Sequence, residues 1–376
     1  MIALRKKIER EIRERGPIPF SRYMELCLYD LQFGYYSHNA AQFGKAGDFY
    51  TSSDVHAVFG RLLARQFDEM WQVLGSPATI TLVELGPGRG LFAQDVLDWS
   101  EKKFPEFFRA LHYLLVERSP ALRQRIEDTL SRHLTSGRAE ISSSASGVGT
   151  SEPAIVFANE FFDALPVEIL SAQGSLRIDA HGGRFVENWA LPSPQELEFL
   201  DRYSVHPEEG DRLEVGLATN QLAAQLLGQL AGGFFIAIDY GYAREEQLAG
   251  RHRGTLKAIR QHSVSAVAYE APGEQDITAD VNFSALATVA ERQGMEIQKL
   301  ITQSQFLLGI GESNEFADAF EDCFVPQERA KVALQLKHLV TPAGMGESFH
   351  VLVASKGVEK EKVARLAGLS FGTRER

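Results

Sequence analysis

An α/β fold on a mostly parallel sheet is what this sequence predicts, from three observations. The stretch Thr79-Ile-Thr-Leu-Val-Glu-Leu-Gly-Pro-Gly-Arg-Gly90 runs from an alternating strand (Ile80, Leu82, Val83, Leu85) into glycines at alternate positions, Gly86, Gly88 and Gly90. Leu91 to Leu97 then reads as a helix, so strand, glycine turn and helix follow as in the first half of a βαβ nucleotide site. Leu111-His-Tyr-Leu-Leu-Val-Glu117 is an apolar run closed by an acid. Ser119-Pro120 follows it as a helix N-cap and a proline at the first helical position. The centre of the chain alternates: strands are expected at 79–85, 111–117, 138–142, 154–159 and 233–239, with helices at 91–103 and 120–132. Such alternation means a parallel sheet covered on both faces.

The remaining elements fall in place around that sheet. Leu4, Ile8 and Ile12 form one stripe of a helix that stops at Gly16-Pro17, and a second helix starts near Ser21. Tyr35 to Ser53 is aromatic, glycine-containing and aperiodic, and reads as a loop. A long helix follows, with Val55, Phe59, Leu62, Leu63, Phe67, Met70, Trp71 and Leu74 on its inner face. Residues 166–190 contain short alternating runs with turns at Gly174 and Gly182-Gly183, an antiparallel meander. Residues 241–281 are rich in Gly, Arg and His without periodicity. A helix over 283–293, a strand over 295–302, a helical segment over 304–341 and a last strand over 347–354 bring the sheet to seven strands. The charged tail after Gly357 is expected to fray. The segments are thus a helical extension with a covering loop (1–76), a first core half (77–165), an inserted meander with helices (166–232), a second core half (233–356) and the tail (357–376).

Composition narrows the function. A net charge of −11 over 376 residues argues against a duplex-binding surface. The two cysteines, Cys27 and Cys323, lie far apart without metal spacing and read as free thiols of a reducing compartment. Ten histidines are scattered with no i, i+4 pair and no cysteine partner, so no metal site is expected. The run Ser142 to Ser146 contains no G-x-S-x-G elbow. No apolar run approaches the ~20 residues of a membrane span, and the first helix lacks the apolar block of a signal peptide. A cytoplasmic protein is the expectation.

The candidate chemistry lies where open α/β sheets bind ligands, beyond the carboxyl ends of the strands. Glycines alone are weak evidence, since many tight turns bind nothing. Here Glu117 adds a carboxylate at the next strand end, suited to accept both ribose hydroxyls of an adenosine. Position 91 is Leu, where a dinucleotide fingerprint requires Gly, so a methyl donor is favoured over a dinucleotide. After the fourth strand comes Asn159-Glu160-Phe161-Phe162-Asp163-Ala164-Leu165-Pro166. Glu160 and Asp163 are three apart, so a helical turn would put both on one side, and the phenylalanines read as core. Asp239, ending the fifth strand, reads equally as a cleft residue or as an acid closing a turn. The expected catalytic residues are Glu160, Asp163 and Asp239. The expected cofactor residues are Glu84, Gly86, Gly88, Gly90, Glu117 and Asn159, with Asp48 and Thr51 from the aromatic loop. Arg253-Gly254-Thr255-Leu256 and Asp276-Ile277-Thr278-Ala279-Asp280 are polar segments to which spacing assigns no role.

Glu84-Leu-Gly-Pro-Gly-Arg-Gly90 resembles motif I of class I S-adenosylmethionine-dependent methyltransferases, and Val116-Glu117 their ribose-binding acid. More narrowly, Pro19–Met24, Phe33–Tyr36, Gly47–Ser52, Ala158–Pro166, Asp239–Gly241, Arg253–Leu256 and Gln275–Val281 are similar, in order, to blocks of the MidA family, which includes the mitochondrial complex I assembly-factor arginine methyltransferases. The resemblance covers residues 17 to 355. It implies a Rossmann-like seven-stranded methyltransferase sheet with its last strand antiparallel, and S-adenosylmethionine as cofactor. It implies a protein arginine, in a subunit of NADH:quinone oxidoreductase, as acceptor. No recognisable mitochondrial leader is present, which suggests a bacterial protein. The partners expected are that protein substrate and a second copy in a homodimer, with neither nucleic acid nor membrane insertion. Two other classes stay open: a non-catalytic assembly chaperone with a relict cofactor pocket, and an NAD-dependent oxidoreductase.

Overall fold

The computed structural model describes residues 2–38, 57–144, 151–260, 263–265 and 268–371. The chain divides into two compact units. The larger comprises Tyr50–Asn159, Gln225–Asp239 and Ala290–Arg376; the smaller comprises Met1–Phe49, Glu160–Ala224 and Tyr240–Val289. The expected helical extension is therefore shared between them, with the helix Ala57–Val73 in the larger unit.

In the larger unit the sheet runs Glu296–Ile297, Phe349–Lys356, Gly233–Tyr242, Ala154–Asn159, Ile80–Leu85, Leu111–Val116 and Ala139–Ser142. The strand Ile80–Leu85 pairs in parallel with Leu111–Val116 on one side and Ala154–Asn159 on the other. The strand order reverses there, and that is the switch point at which an open α/β sheet leaves a crevice. Apart from Thr81 and Glu84 its residues are apolar, because a central parallel strand is covered on both faces. Helices Ala57–Val73 and Leu91–Lys103 pack together through rings: Phe59 lies 5.5 Å from Phe92, and Phe92 stacks on Phe157 at 4.7 Å. Gly60 makes this approach possible, since a Cβ there would lie 2.5 Å from Asp95 Cβ.

The strand expected over 295–302 is two short pieces, Glu296–Ile297 and Ile301–Thr302, both antiparallel to Phe349–Lys356. Ile297 pairs with Ala354 and Ile301 with Val351, so four steps on one strand face three on the other. That extra residue is a bulge, which breaks the ladder and bends an edge strand. The tail does not fray through 371: Leu366 and Ala367 are buried, and the amides of Ala367 and Gly368 donate to Glu69 (2.9 Å) and Gln66 (2.8 Å) of helix Ala57–Val73. Its charges hid a short apolar segment.

The smaller unit is built on antiparallel pairing. Glu168–Ser171, Gly174–His181 and Arg184–Ala190 form the expected meander, extended by Ile18–Pro19 and Leu213–Val215. Helix Ile2–Arg15 lays Leu4, Ile8 and Ile12 into its core beside Phe20, Tyr23, Leu176 and Ile178. Each such burial is worth about 1.5–3 kcal/mol as an upper estimate, so a charge at Ile8 would undock the helix. Two differences from expectation appear here. Tyr35–His38 is a short helix where a loop is expected, and the aperiodic 241–281 holds a three-stranded sheet of Ser263–Ser265, Lys257–Arg260 and Asp276–Thr278. Its strands are too short to show a period, and its pairing of Ala258 with Ile277 is long-range.

Candidate functional site

The residues expected to hold the cofactor lie in the larger unit, at the carboxyl ends of its parallel strands. Register places these ends level: Leu85 pairs with Val116 and Ala158, and Asn159 with Ile238. Gly86, Glu117, Asn159 and Asp239 therefore stand along one edge. The Gly86 amide donates to Val116 carbonyl at 3.1 Å, which ties the turn to the neighbouring strand. Gly88 and Gly90 hold φ of +54° and +76°, in the left-handed region that side chains disfavour. They differ in what surrounds them. A Cβ on Gly88 would meet nothing within 4 Å, whereas one on Gly90 would touch Ile126 at 3.4 Å. Gly90 thus serves packing, and Gly88 keeps a space clear. Gly90 also begins helix Leu91–Lys103 with no side-chain cap, which leaves first-turn N–H groups available to a ligand.

Two carboxyls flank this turn. Glu117 follows its strand, donates its amide to Ser142 carbonyl (2.9 Å) and accepts the Ser119 amide at 2.7 Å. Burial raises its pKa to about 7, against the pull of the Ser119 and Arg118 amides. Glu84 is 5% exposed and accepts the Tyr113 hydroxyl at 2.8 Å. Burial raises it to about 8, so it is largely neutral at pH 7. Asn159 is half-buried at its strand end, and Asp239 is fully buried. The clear space at Gly88, the uncapped helix start and the Glu117 carboxyl fit a nucleoside cofactor with a polar tail. Asp48 and Thr51 lie outside the described residues.

Glu160 and Asp163 belong to the smaller unit. Glu160 adopts φ +49°, a strained conformation for a residue with a Cβ. No helical turn joins it to Asp163: the segment is a bend and a turn closed by Leu165 N–H to Phe162 carbonyl at 3.2 Å. The expected i, i+3 argument fails because the left-handed residue ends any helical path at its start. Phe162 is core, as expected, and meets Phe161 edge-on at 5.2 Å. Burial raises the pKa of Asp163, Asp280 adds to that, and Lys257 opposes it.

Around Asp163 are gathered groups to which sequence reasoning assigned no role. Asp163 carbonyl accepts the Ala279 amide at 2.9 Å. Asp280 is bonded by Lys257 Nζ and His252 Nδ1, both at 3.2 Å. Tyr36 donates its hydroxyl to Asp276 Oδ1 at 2.8 Å. The two polar segments Arg253–Leu256 and Asp276–Asp280 were visible, and the fold is what brings them to Asp163. Among the described residues no group of acids, histidines and cysteines is arranged to hold a metal, and no helix is long and apolar enough to cross a membrane.

The sheet order, its switch point beside the glycine turn and the antiparallel pairing at its end define a class I methyltransferase. The chain belongs to the family described as "Putative S-adenosyl-L-methionine-dependent methyltransferase", whose model matches residues 62–301. S-adenosylmethionine is its cofactor. A crystal structure of a Burkholderia thailandensis protein bound to S-adenosyl-homocysteine is 28% identical, with a TM-score of 0.83, and the match covers 96% of this chain and 95% of that one. A mitochondrial protein arginine methyltransferase NDUFAF7 homolog of Drosophila melanogaster is 29% identical over 95% of this chain and 85% of its own. The Homo sapiens protein arginine methyltransferase NDUFAF7 is 28% identical over 90% of this chain and 80% of its own.

Proposed function

We propose that this methyltransferase acts on arginine in a protein substrate. The observation that carries this reading is the likeness, along nearly the whole chain, to proteins named protein arginine methyltransferases. The residues support it. Bound S-adenosylmethionine supplies an electrophilic methyl group, so the protein's task is to position and to hold charge. The open side of Gly88 lets a ligand lie against the main chain, Glu117 accepts ribose hydroxyls, and Asn159 lies beside them at the rim. Glu84, bonded to Tyr113, supports the turn from beneath.

A guanidinium stays protonated in water and is a poor nucleophile. Glu160 and Asp163 hold it by charge-assisted hydrogen bonds that localise electron density on one nitrogen. Strain at Glu160 fits this role, since strained residues persist where function requires their geometry. Asp239, fully buried, is given a supporting part at the end of its strand. A subunit of NADH:quinone oxidoreductase is the acceptor we favour.

Two variants test the reading with labelled cofactor and a protein extract from cells lacking this protein. Glu160→Gln is expected to abolish methylarginine formation while S-adenosylhomocysteine still raises the melting temperature. Glu160→Gly is expected to lose activity and yet gain up to about 1 kcal/mol of stability from relieved strain. Label on lysine or carboxyl groups, or full turnover by Glu160→Gln, would sink the arginine assignment. No transfer to any protein by the wild type would favour an assembly chaperone instead.

A further inference from the structure

We propose that Lys257 is a positioning residue for methyl transfer: paired with Asp280, its ammonium lets Asp163 and Asp280 carry charge side by side, so that Asp163 can receive a cationic acceptor. This rests on the reading of Asp163 as an acceptor-binding carboxylate.

Two neighbouring carboxylates resist joint ionisation, because each charge repels the other. Asp163 and Asp280 are held in that relation by the main chain, through the Ala279 amide on Asp163 carbonyl. Among the described residues the groups acting on Asp163 include the Ala164 amide, Asp280, Lys257 and Tyr36. Through them Asp276, Tyr29 and His252 join the cluster. Lys257 is the ammonium among these groups. It lies 3.2 Å from Asp280 Oδ1 and 5.4 Å from the centroid of the Tyr240 ring.

The strap that carries Lys257 is fixed, so its ammonium has a defined place. Glu214, buried in the strand Leu213–Val215, accepts the amides of Thr255 (2.7 Å) and Leu256 (2.9 Å) on one oxygen. Thr255 Oγ1 in turn accepts the Asp280 amide at 3.0 Å. On the other side Gln247 donates to His252 carbonyl at 3.1 Å, and the His252 ring stacks on Tyr242 at 5.0 Å. Lys257 and Asp280 are therefore held to one another by main-chain and side-chain bonds at once. This gives the segments Arg253–Leu256 and Asp276–Asp280 a shared purpose: they hold the counter-ion of the acceptor carboxylate.

The test compares full-length wild type, K257M, K257R, D163N and K257M/D280N. Carbon-13 aspartate labelling follows the carboxyl titrations by NMR, with D163N identifying the Asp163 signal. K257M is expected to raise the Asp163 midpoint by about one pH unit, the low end for removal of a nearby opposite charge because Lys257 is half-exposed. K257R should leave it in place, and K257M/D280N should return it toward wild type. Methyl transfer from tritiated S-adenosylmethionine to protein extract should fall about tenfold in K257M at pH 6.5 and recover by pH 9, following the same one-unit shift. An unmoved midpoint in K257M, or a loss of transfer that is the same at every pH, overturns the proposal. If D163N transfers methyl as well as wild type, the acceptor reading beneath it is wrong, while the K257M midpoint still reports on Lys257 separately.

Discussion

The set of residues proposed for the cofactor and the set proposed for the acceptor are built from different material. The first is main chain: three glycines, an uncapped helix start and strand ends aligned by register, with one carboxyl, Glu117, projecting beyond its strand. The second is side chain: Asp163, Asp276, Asp280, Lys257, His252 and Tyr36, each fixed by partners from distant segments. A main-chain site is set by local sequence and tolerates a neutral interior. A side-chain site depends on charge compensation, and single substitutions should unbalance it.

The contrast is open to attack, most strongly through the acceptor half. Asp163→Asn is expected to cut turnover by about a hundredfold or more, the scale of an essential charged group in the transition state, with cofactor affinity unchanged. Steady-state kinetics alongside calorimetry of S-adenosylhomocysteine would show this, and a parallel loss of affinity would mean that the two halves are not separable.

Glu117 tests the cofactor half. Glu117→Ala is expected to weaken S-adenosylhomocysteine binding about 10- to 100-fold, the worth of hydrogen bonds to a charged group. The wild type has a pH signature too. With the carboxyl near pKa 7, the ionised acceptor forms as pH rises from 6 to 8, so binding should tighten over that interval. Glu117→Gln should bind weakly and without the slope; a wild-type affinity that is flat across this range would refute the ribose role.

Glu84 separates support from binding. Its folded pKa, about 8, lies above the ordinary 4.5, so the folded state holds the proton more tightly than the unfolded one. That contribution is complete below the unfolded value and is lost as pH climbs through about 8. Glu84→Gln, which keeps an acceptor for Tyr113, should match wild type at pH 4.5. Above that it should gain stability over wild type by up to about 1.4 kcal/mol per pH unit. Denaturant titrations at three pH values decide it, and equal stability of the two proteins at pH 8 would contradict a buried neutral Glu84.

The smallest effect belongs to Ser119, whose hydroxyl accepts the Leu122 amide at 3.4 Å to cap helix Pro120–Thr135. Ser119→Ala should cost about 1 kcal/mol and leave cofactor affinity alone, because Glu117 is held by the Ser119 amide and not by its side chain. Weakened S-adenosylhomocysteine binding in this variant would show that the cofactor half leans on side chains after all.

How much of this was legible beforehand follows the same division. The strand Ile80–Leu85, the glycines and Glu117 were readable because alternation, turn conformation and a strand-end acid are local signals. The meander was readable for the same reason. The bulge between Ile297 and Ile301 was not, since it exists only as a mismatch with a strand some fifty residues away. Nor was the docked tail, whose few apolar residues sit among charges until helix Ala57–Val73 supplies their partners. At Glu160 the local rule misled: three-residue spacing suggested one helical face, and a left-handed backbone removed it.

Sequence alone determined the nucleotide-binding class of the sheet, because the period of a strand, the freedom of glycine and the reach of a cap act over a few residues. Only the tertiary structure brought together the acids proposed for the acceptor side. Tyr36 and Asp276 are 240 residues apart in the chain, and Lys257 and Asp280 are 23 apart. No spacing rule reaches that far. Electrostatic balance depends on distance in space and on burial, and both come into being only when the chain has folded.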